Sequence, residues 1–379
     1  MMSMVATVAL RNLVHDKTRL AATLVGIVFS VVLVGIQLGL YIGASRMITG
    51  PIDHADADLW VMPVHTESLE DGLPLLRQED RSRALAVPGV ASAAPLMVHF
   101  ADWQRPDGAI THVVVIGSGP DNEALRPWSV TAGRWDASAP ARSVVVDRTY
   151  LGDLGINGVG DTVAIEGASA RVVALSDGIR SFSQSPLVFT TLNQARNFVQ
   201  AGPDRLTYLL VRTQPGADRE VVRAGLTGTL ANVEVLTPAE FSARSLDRWL
   251  MQTGAGVALI GGAILGALVG AVIVAQTLYA NTNEYLKEFA MLRAIGSSSS
   301  YIFKVIIAQA VVTAVTGFVI GLGGTMVMVA LSRNSPMPLV VTPHLAGGLL
   351  GLTVVIAGVA AIAAIYRVTR IDPATVFAR

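Results

Sequence analysis

Four stretches of this chain run apolar without a single charge: Leu20 to Ala44, Leu250 to Asn283, Val305 to Ser332 and Leu345 to Tyr366. A helix needs roughly 20 apolar residues to cross a bilayer, so each stretch predicts a membrane span. Between the first two, residues 45–249 mix strand-like and helix-like periods, which predicts a packed α+β domain. The strand candidates are Leu59 to Val64, Val113 to Ile116, Ser143 to Val146 and Tyr208 to Arg212. Asp161 to Ile165 and Arg171 to Leu175 read as a hairpin around Gly167. The helix candidates are Leu76 to Ala86, stopped by Pro88-Gly89, then Asn193 to Gln200 and Asp218 to Leu230.

The short basic segments set an orientation. Arg11, Lys17 and Arg19 precede the first span, Lys287, Arg293 and Lys304 follow the second, and Arg367, Arg370 and Arg379 follow the fourth. The loop between spans three and four has only Arg333. Residues 45–249 hold 18 Arg and no Lys against 24 Asp plus Glu, a net of −6. The expected order is a cytoplasmic segment 1–19, span 20–44, an external domain 45–249 and span 250–283. A cytoplasmic loop 284–304, span 305–332, short external loop 333–344, span 345–366 and cytoplasmic tail 367–379 follow. A cleaved signal has an apolar core of only about 7–15 residues, so the longer run from Leu20 to Ala44 is expected to stay as an anchor.

Thr237-Pro238-Ala239-Glu240 has the pattern of a capping box, Thr237 and Glu240 as its reciprocal pair and proline at the first helical position. If helix ran unbroken from Pro238 to Asn283 it would measure about 69 Å at 1.5 Å per residue. That exceeds the hydrocarbon core of about 30 Å, and predicts a stalk reaching into the external domain. Glycines recur every fourth residue at Gly35, Gly39 and Gly43, at Gly262, Gly266 and Gly270, and at Gly317 and Gly321. Such faces let helices approach closely, and are expected to pack helices within a dimer. Asn283 to Ile295 reads as a short amphipathic helix, with Tyr285, Phe289 and Leu292 on one face and Glu284, Lys287 and Glu288 on another. Gly296 suits its C-terminal cap. Its residues alone leave two readings open: a docking helix, or a helix lying on lipid.

Composition narrows the chemistry. The chain is 52% hydrophobic and 15% charged, where soluble domains carry about a quarter charged residues. There is no cysteine, hence no disulfide and no thiolate site. A formal net charge of zero argues against nucleic-acid binding. No Asp, Glu, Lys, Arg or His lies inside a span, unlike an ion-coupled carrier. Asp53, His54, Asp56 and Asp58 cluster, but a metal site needs further convergent ligands, so a solvated approach to the first strand is expected and no metal. Gly117-Ser118-Gly119 lacks the spacing of a nucleophile elbow, and His65, His99 and His112 do not complete one, so no catalytic residue is expected. Phe182 to Pro186 reads as a polar loop with one exposed aromatic.

Glu288-Phe289-Ala290-Met291-Leu292-Arg293-Ala294-Ile295-Gly296 resembles the E-φ-x-φ-L-R-A-φ-G signature of FtsX/MacB-type ABC transporter permeases. Arg370-Ile371-Asp372-Pro373-Ala374 resembles the ending of that family, and span order matches it. Ser143 to Asp147, Leu154-Gly155-Ile156 and Gly160 to Val163 resemble a stretch of its periplasmic domain. Ala57 to Val61 and Ser181 to Pro186 are similar to the DevC-like subgroup. One departure is Leu286, where the family usually has a basic residue. The resemblance implies a four-helix transmembrane domain plus a large α+β periplasmic domain inserted between spans one and two, in a bacterial inner membrane. It makes Glu284, Lys287, Glu288, Phe289, Leu292, Arg293 and Gly296 the segment that docks on an ATPase. The chain has no G-x-x-x-x-G-K-[ST]. ATP and Mg are therefore expected on a separate ABC ATPase subunit, with no cofactor on this chain. The further partners implied are a second permease copy, a periplasmic adaptor and membrane lipid. The function implied is mechanotransmission that drives export of a lipid, glycolipid or other amphiphile. An FtsX-like regulator of a periplasmic enzyme and LolC/LolE-like lipoprotein extraction are the alternatives.

Overall fold

The computed structural model describes residues 17–118, 124–135, 142–284, 291, 299–333 and 335–369. The chain divides into two compact units. One comprises residues 1–43, 257–333 and 338–379; the other comprises 44–256 and 334–337.

The larger unit is built on one mixed sheet of ten strands. They are β1 (Leu59–Pro63), β3 (Val90–Gln104), β4 (Ile110–Ser118), β5 (Val130–Gly133), β6 (Ser143–Asp147), β7 (Thr162–Ile165), β8 (Ala168–Ser176), β9 (Leu187–Thr191), β11 (Tyr208–Thr213) and β12 (Val233–Leu236). The order is β12-β1-β11-β3-β4-β9-β6-β8-β5, with β7 pairing to β3 and β8. The pairs β4·β9 and β6·β8 are parallel; the other pairs are antiparallel. A separate two-residue pair joins β2 (Leu76–Arg77) to β10 (Arg205–Leu206).

Both faces of this sheet are covered, which explains why its strands read as continuous apolar runs. Side chains alternate between faces with period two. Leu59, Val61, Val113, Val115, Val144 and Val146 enter one core cluster. Trp60, Met62, Val114, Ile116 and Val145 enter the other. In the second cluster Trp60 meets Tyr208 edge-on at 5.6 Å and Phe241 at 5.3 Å. Helices Gln78–Leu85, Leu192–Phe198 and Arg219–Thr229 match the expected segments to within two residues, as helix ends generally do. The hairpin β7–β8 turns where expected, with Glu166 at φ 49° and Gly167 at φ 74°, the two left-handed positions of a tight hairpin turn.

The smaller unit contains helices long and apolar enough to cross a membrane. The candidate spans are Leu20–Asp53, Ala255–Ala280, Phe303–Ser332 and Pro343–Ile362. Small residues let them pack closely, as membrane helices do without a hydrophobic drive between them. Ile27, Val31, Val34, Ala263, Val274, Ala310, Ala314, Leu349 and Ala357 form the buried cluster. Apolar side chains such as Leu265, Val272, Val319, Val327, Val355 and Val359 point outward and exposed, as lipid-facing positions should.

Candidate functional site

The glycine-lined faces are filled within this chain. Ser30 Oγ donates to the Gly266 carbonyl at 3.0 Å, tying span one to span two. A β-carbon on Gly266 would lie 3.0 Å from Leu33 Cδ2, one on Gly262 would lie 2.7 Å from Gln37 Nε2, and one on Gly270 would collide with Ser30. Gly317 and Gly321 admit Ile27 and Val31 in the same way. Gly35 faces Thr325 and Leu349, Gly39 faces Leu339, and Gly43 faces the Pro338 carbonyl. These glycines lie against side chains and backbone of other segments of the same chain. They therefore give no argument for a dimer.

The segment ahead of span two departs from expectation. Thr237 does cap helix Pro238–Leu246: its hydroxyl accepts from Glu240 N, and its N–H donates to Glu240 Oε2 at 2.8 Å. These bonds, led by the Thr237 backbone N–H and helped by Arg223, hold the Glu240 carboxyl below its ordinary pKa. Arg223 Nη1 reaches Glu240 Oε1 at 3.0 Å, pinning the helix start to helix Arg219–Thr229. Arg244 pairs with Glu234 on β12, and Arg248 with Glu67 at 3.0 Å and Asp71 at 3.5 Å. The helix then widens into a π-turn, Asp247–Gln252, and ends. Gly254 adopts φ 79° before helix Ala255–Glu284 begins. The unbroken rod from Pro238 to Asn283 is thus corrected to two helices with a left-handed glycine between them, a conformation side-chain-bearing residues resist.

Phe182 is also corrected. It is half-buried and packs edge-on against Trp249 at 5.7 Å. The acidic cluster is structural. Asp58 accepts from Thr213 N at 2.9 Å and Thr213 Oγ1 at 3.0 Å, and pairs with Arg219 at 2.7 Å. Burial pushes the Asp58 carboxyl up, but these bonds and the arginines outweigh it and leave its pKa lowered. Asp56 pairs with Arg212, Asp53 accepts from Thr49, and His54 stacks on Trp128 at 4.1 Å. Among the described residues no group of acidic and histidine side chains converges as a metal site. His112 pairs with Asp102 on an exposed part of the sheet, and Ser118 ends β4 on the interior. Lys287, Glu288, Phe289, Leu292, Arg293 and Gly296 lie outside the described residues, as does the 370–379 ending; Glu284 closes the second span helix.

Comparison with known proteins agrees with this architecture. The MacB-like periplasmic core domain matches residues 20–229, more than half of the chain, and the FtsX-like permease C-terminal domain matches residues 260–373. A protein of Mycobacterium tuberculosis H37Rv named as an uncharacterized ABC transporter permease is 26% identical over 380 residues, covering 97% of this chain and 98% of its own. A Mycobacterium bovis protein of the same description is 26% identical over 377 residues, covering 97% and 98%. The periplasmic region of MacB from Actinobacillus actinomycetemcomitans aligns with TM-score 0.39 at 16% identity, over 51% of this chain and 94% of that one. The extracellular domain of the noncanonic ABC-type transporter YknZ aligns with TM-score 0.37 at 15% identity, over 48% and 99%. The chain belongs to the MacB/FtsX-type family of ABC transporter permeases.

Proposed function

We propose that this chain is the permease subunit through which a separate ABC ATPase moves a periplasmic domain to export an amphiphile. The observation that carries the reading is the signature Glu288 to Gly296, placed in sequence between the second and third spans of a MacB/FtsX-type permease. With no P-loop of its own, the chain needs a partner to bind ATP and Mg. Two permease copies stand over two ATPases in the inner membrane, with their termini and the 284–304 loop cytoplasmic, and a periplasmic adaptor receives the cargo.

The break at Thr253–Gly254 changes the mechanical picture. A rod would carry displacement rigidly from cytoplasm to periplasm, whereas a joint passes motion by rotation about a few backbone angles, as hinges do. In this reading ATPase closure pushes the 284–304 loop, span two shifts, and helix Pro238–Leu246 follows through the joint. Its cap and its ion pairs then carry the motion into the sheet.

Purification of the tagged chain from its native membrane in mild detergent, followed by mass spectrometry, tests this reading. The expected result is a stoichiometric P-loop ATPase, lost in Glu288→Lys and Arg293→Glu while the permease stays inserted. Absence of any ATPase from the wild-type preparation would overturn it.

A further inference from the structure

Glu70 is the most unusual acid in the larger unit. It sits in the loop after β1, and its Oε1 accepts from Ser181 Oγ at 2.5 Å. Ser181 Oγ also lies 2.7 Å from Ser183 Oγ and accepts from Ser183 N, so the 181–185 loop is organised around this carboxyl. The other oxygen, Oε2, is sealed from solvent and has no hydrogen-bond partner. Ser245 Oγ is equally buried and equally unpartnered. Both residues line one small cavity, with room for about one water-sized group such as an ammonium head.

Ser68 is the third polar residue of the lining, and the rest is apolar and aromatic. Met47, Ile48, Pro51, Leu69 and Leu187 form walls, joined by the edge-packed pair Phe182 and Trp249. A buried polar atom left unpaired costs free energy, and a buried carboxylate costs more unless a cation meets it. Burial accordingly pushes the Glu70 carboxyl above the usual carboxylate range. The nearby charges show which sign of ligand the cavity favours. Arg248 is shared by Glu67 and Asp71, and Arg244 is committed to Glu234 and to the Thr66 carbonyl. That leaves Glu70 without a basic partner among the residues facing the cavity.

Position adds a second constraint. Met47 and Ile48 belong to helix Lys17–Asp53, which carries the first span, and Trp249 stands less than two turns ahead of Ala255, where the second span helix starts. Tryptophan close in sequence to a span is a common partner of lipid head groups.

We propose that this cavity binds the primary ammonium group of a membrane amphiphile, with Glu70 Oε2 and Ser245 Oγ accepting its N–H bonds and Phe182 and Trp249 flanking the charge. A primary ammonium carries N–H donors for both orphan atoms, whereas a quaternary nitrogen carries none. Aromatic rings beside a desolvated cation add attraction. The site deepens the amphiphile-export reading and rests on it for the source of the ligand, but the binding step needs no ATPase.

The probe is n-octylamine, titrated into the full chain in detergent and followed by tryptophan fluorescence, with Trp249→Phe identifying the reporter. Saturable binding is expected, weakened about tenfold or more in Glu70→Gln, which keeps the shape and removes the charge. Octyltrimethylammonium is expected not to saturate. Thermal stability of Glu70→Gln is expected to equal or exceed that of the parent, which separates a ligand site from a structural acid. Should that variant fail to insert, Phe182→Leu serves in its place and is expected to bind octylamine more weakly. Phosphatidylethanolamine nanodiscs that compete with octylamine, where phosphatidylcholine nanodiscs do not, would assign the group to bilayer lipid. Equal octylamine binding in both discs would assign it to an exported amine. No saturable binding, or equal affinity in Glu70→Gln, would mean that water alone fills the cavity and would overturn the proposal. Either result leaves the ATPase co-purification test untouched.

Discussion

The two units of this permease solve the packing problem with opposite means. The periplasmic domain fills its two cores with large side chains: Trp60, Trp103, Tyr150, Tyr208, Phe189, Phe198 and Phe241 are all buried. The membrane unit does it with absence, setting Gly266, Gly270, Gly317 and Gly321 where Leu33, Ser30, Ile27 and Val31 come in from span one. Water explains the difference. Removing an aromatic ring from water stabilises the domain directly, but lipid is as apolar as leucine, so spans associate through close contact and hydrogen bonds. Truncation should therefore break the domain, and enlargement should break the bundle.

Four substitutions test that contrast, in descending order of expected effect. Trp60→Ala removes the ring shared by Tyr208 and Phe241 and should destabilise the domain by about 3–5 kcal/mol, read from denaturant unfolding of the full chain. An equal change at Gly270 in the opposite sense, Gly270→Leu, forces span two off Ser30. It should destabilise by about 1–3 kcal/mol, read as a lower detergent aggregation temperature, with the domain's unfolding unaltered. If Gly270→Leu is silent, the helix faces are looser than described.

Asp58→Asn should destabilise by about 1–2 kcal/mol near neutral pH, because Thr213 N and Arg219 lose a charged acceptor. The Asp58 pKa is lowered on folding. Its contribution is thus present above the unfolded carboxylate pKa of about 3.9 and lost as pH falls through the lower folded value. Unfolding curves of parent and variant should converge toward acid pH, and a gap that persists there would contradict the charge-based account. Thr237→Ala is expected to be the mildest, about 1 kcal/mol for a lost cap, confined to the start of helix Pro238–Leu246 and visible as faster local amide exchange.

The same contrast governs what could be read from the residues alone. Spans are legible because lipid demands an uninterrupted apolar run, and all four stood out. The capping box at Thr237 was legible because its chemistry is local, as was the turn at Gly167. Strand β3 was not: Pro95 and a run of alanines hide its fifteen residues, and its pairing with β4 and β11 supplies what its propensity lacks. Gly254 escaped notice because a glycine in an apolar helix is unremarkable until its φ is known. Which helix fills a glycine face is a tertiary fact, so the faces of Gly262, Gly266 and Gly270 read equally well as contacts to another copy. Glu70, its partner Ser181 and the cavity residue Ser245 are far apart in sequence, and only the fold brings Glu70 to Ser181 and sets Glu70 and Ser245 in one cavity.

If ATP bound by a partner moves the periplasmic domain through the joint at Thr253–Gly254, as proposed, labels on that domain must move with it. Because the chain has no cysteine, a single Val221→Cys on the exposed face of helix Arg219–Thr229 can carry one spin label per copy without background. Pulsed electron paramagnetic resonance on the reconstituted complex would measure the separation of the two labels, with ADP and then with a non-hydrolysable ATP analogue. The expected result is a clear dipolar distance that shifts by several ångströms between the two nucleotides. A distance that stays fixed, in a complex whose ATPase is active, would contradict it.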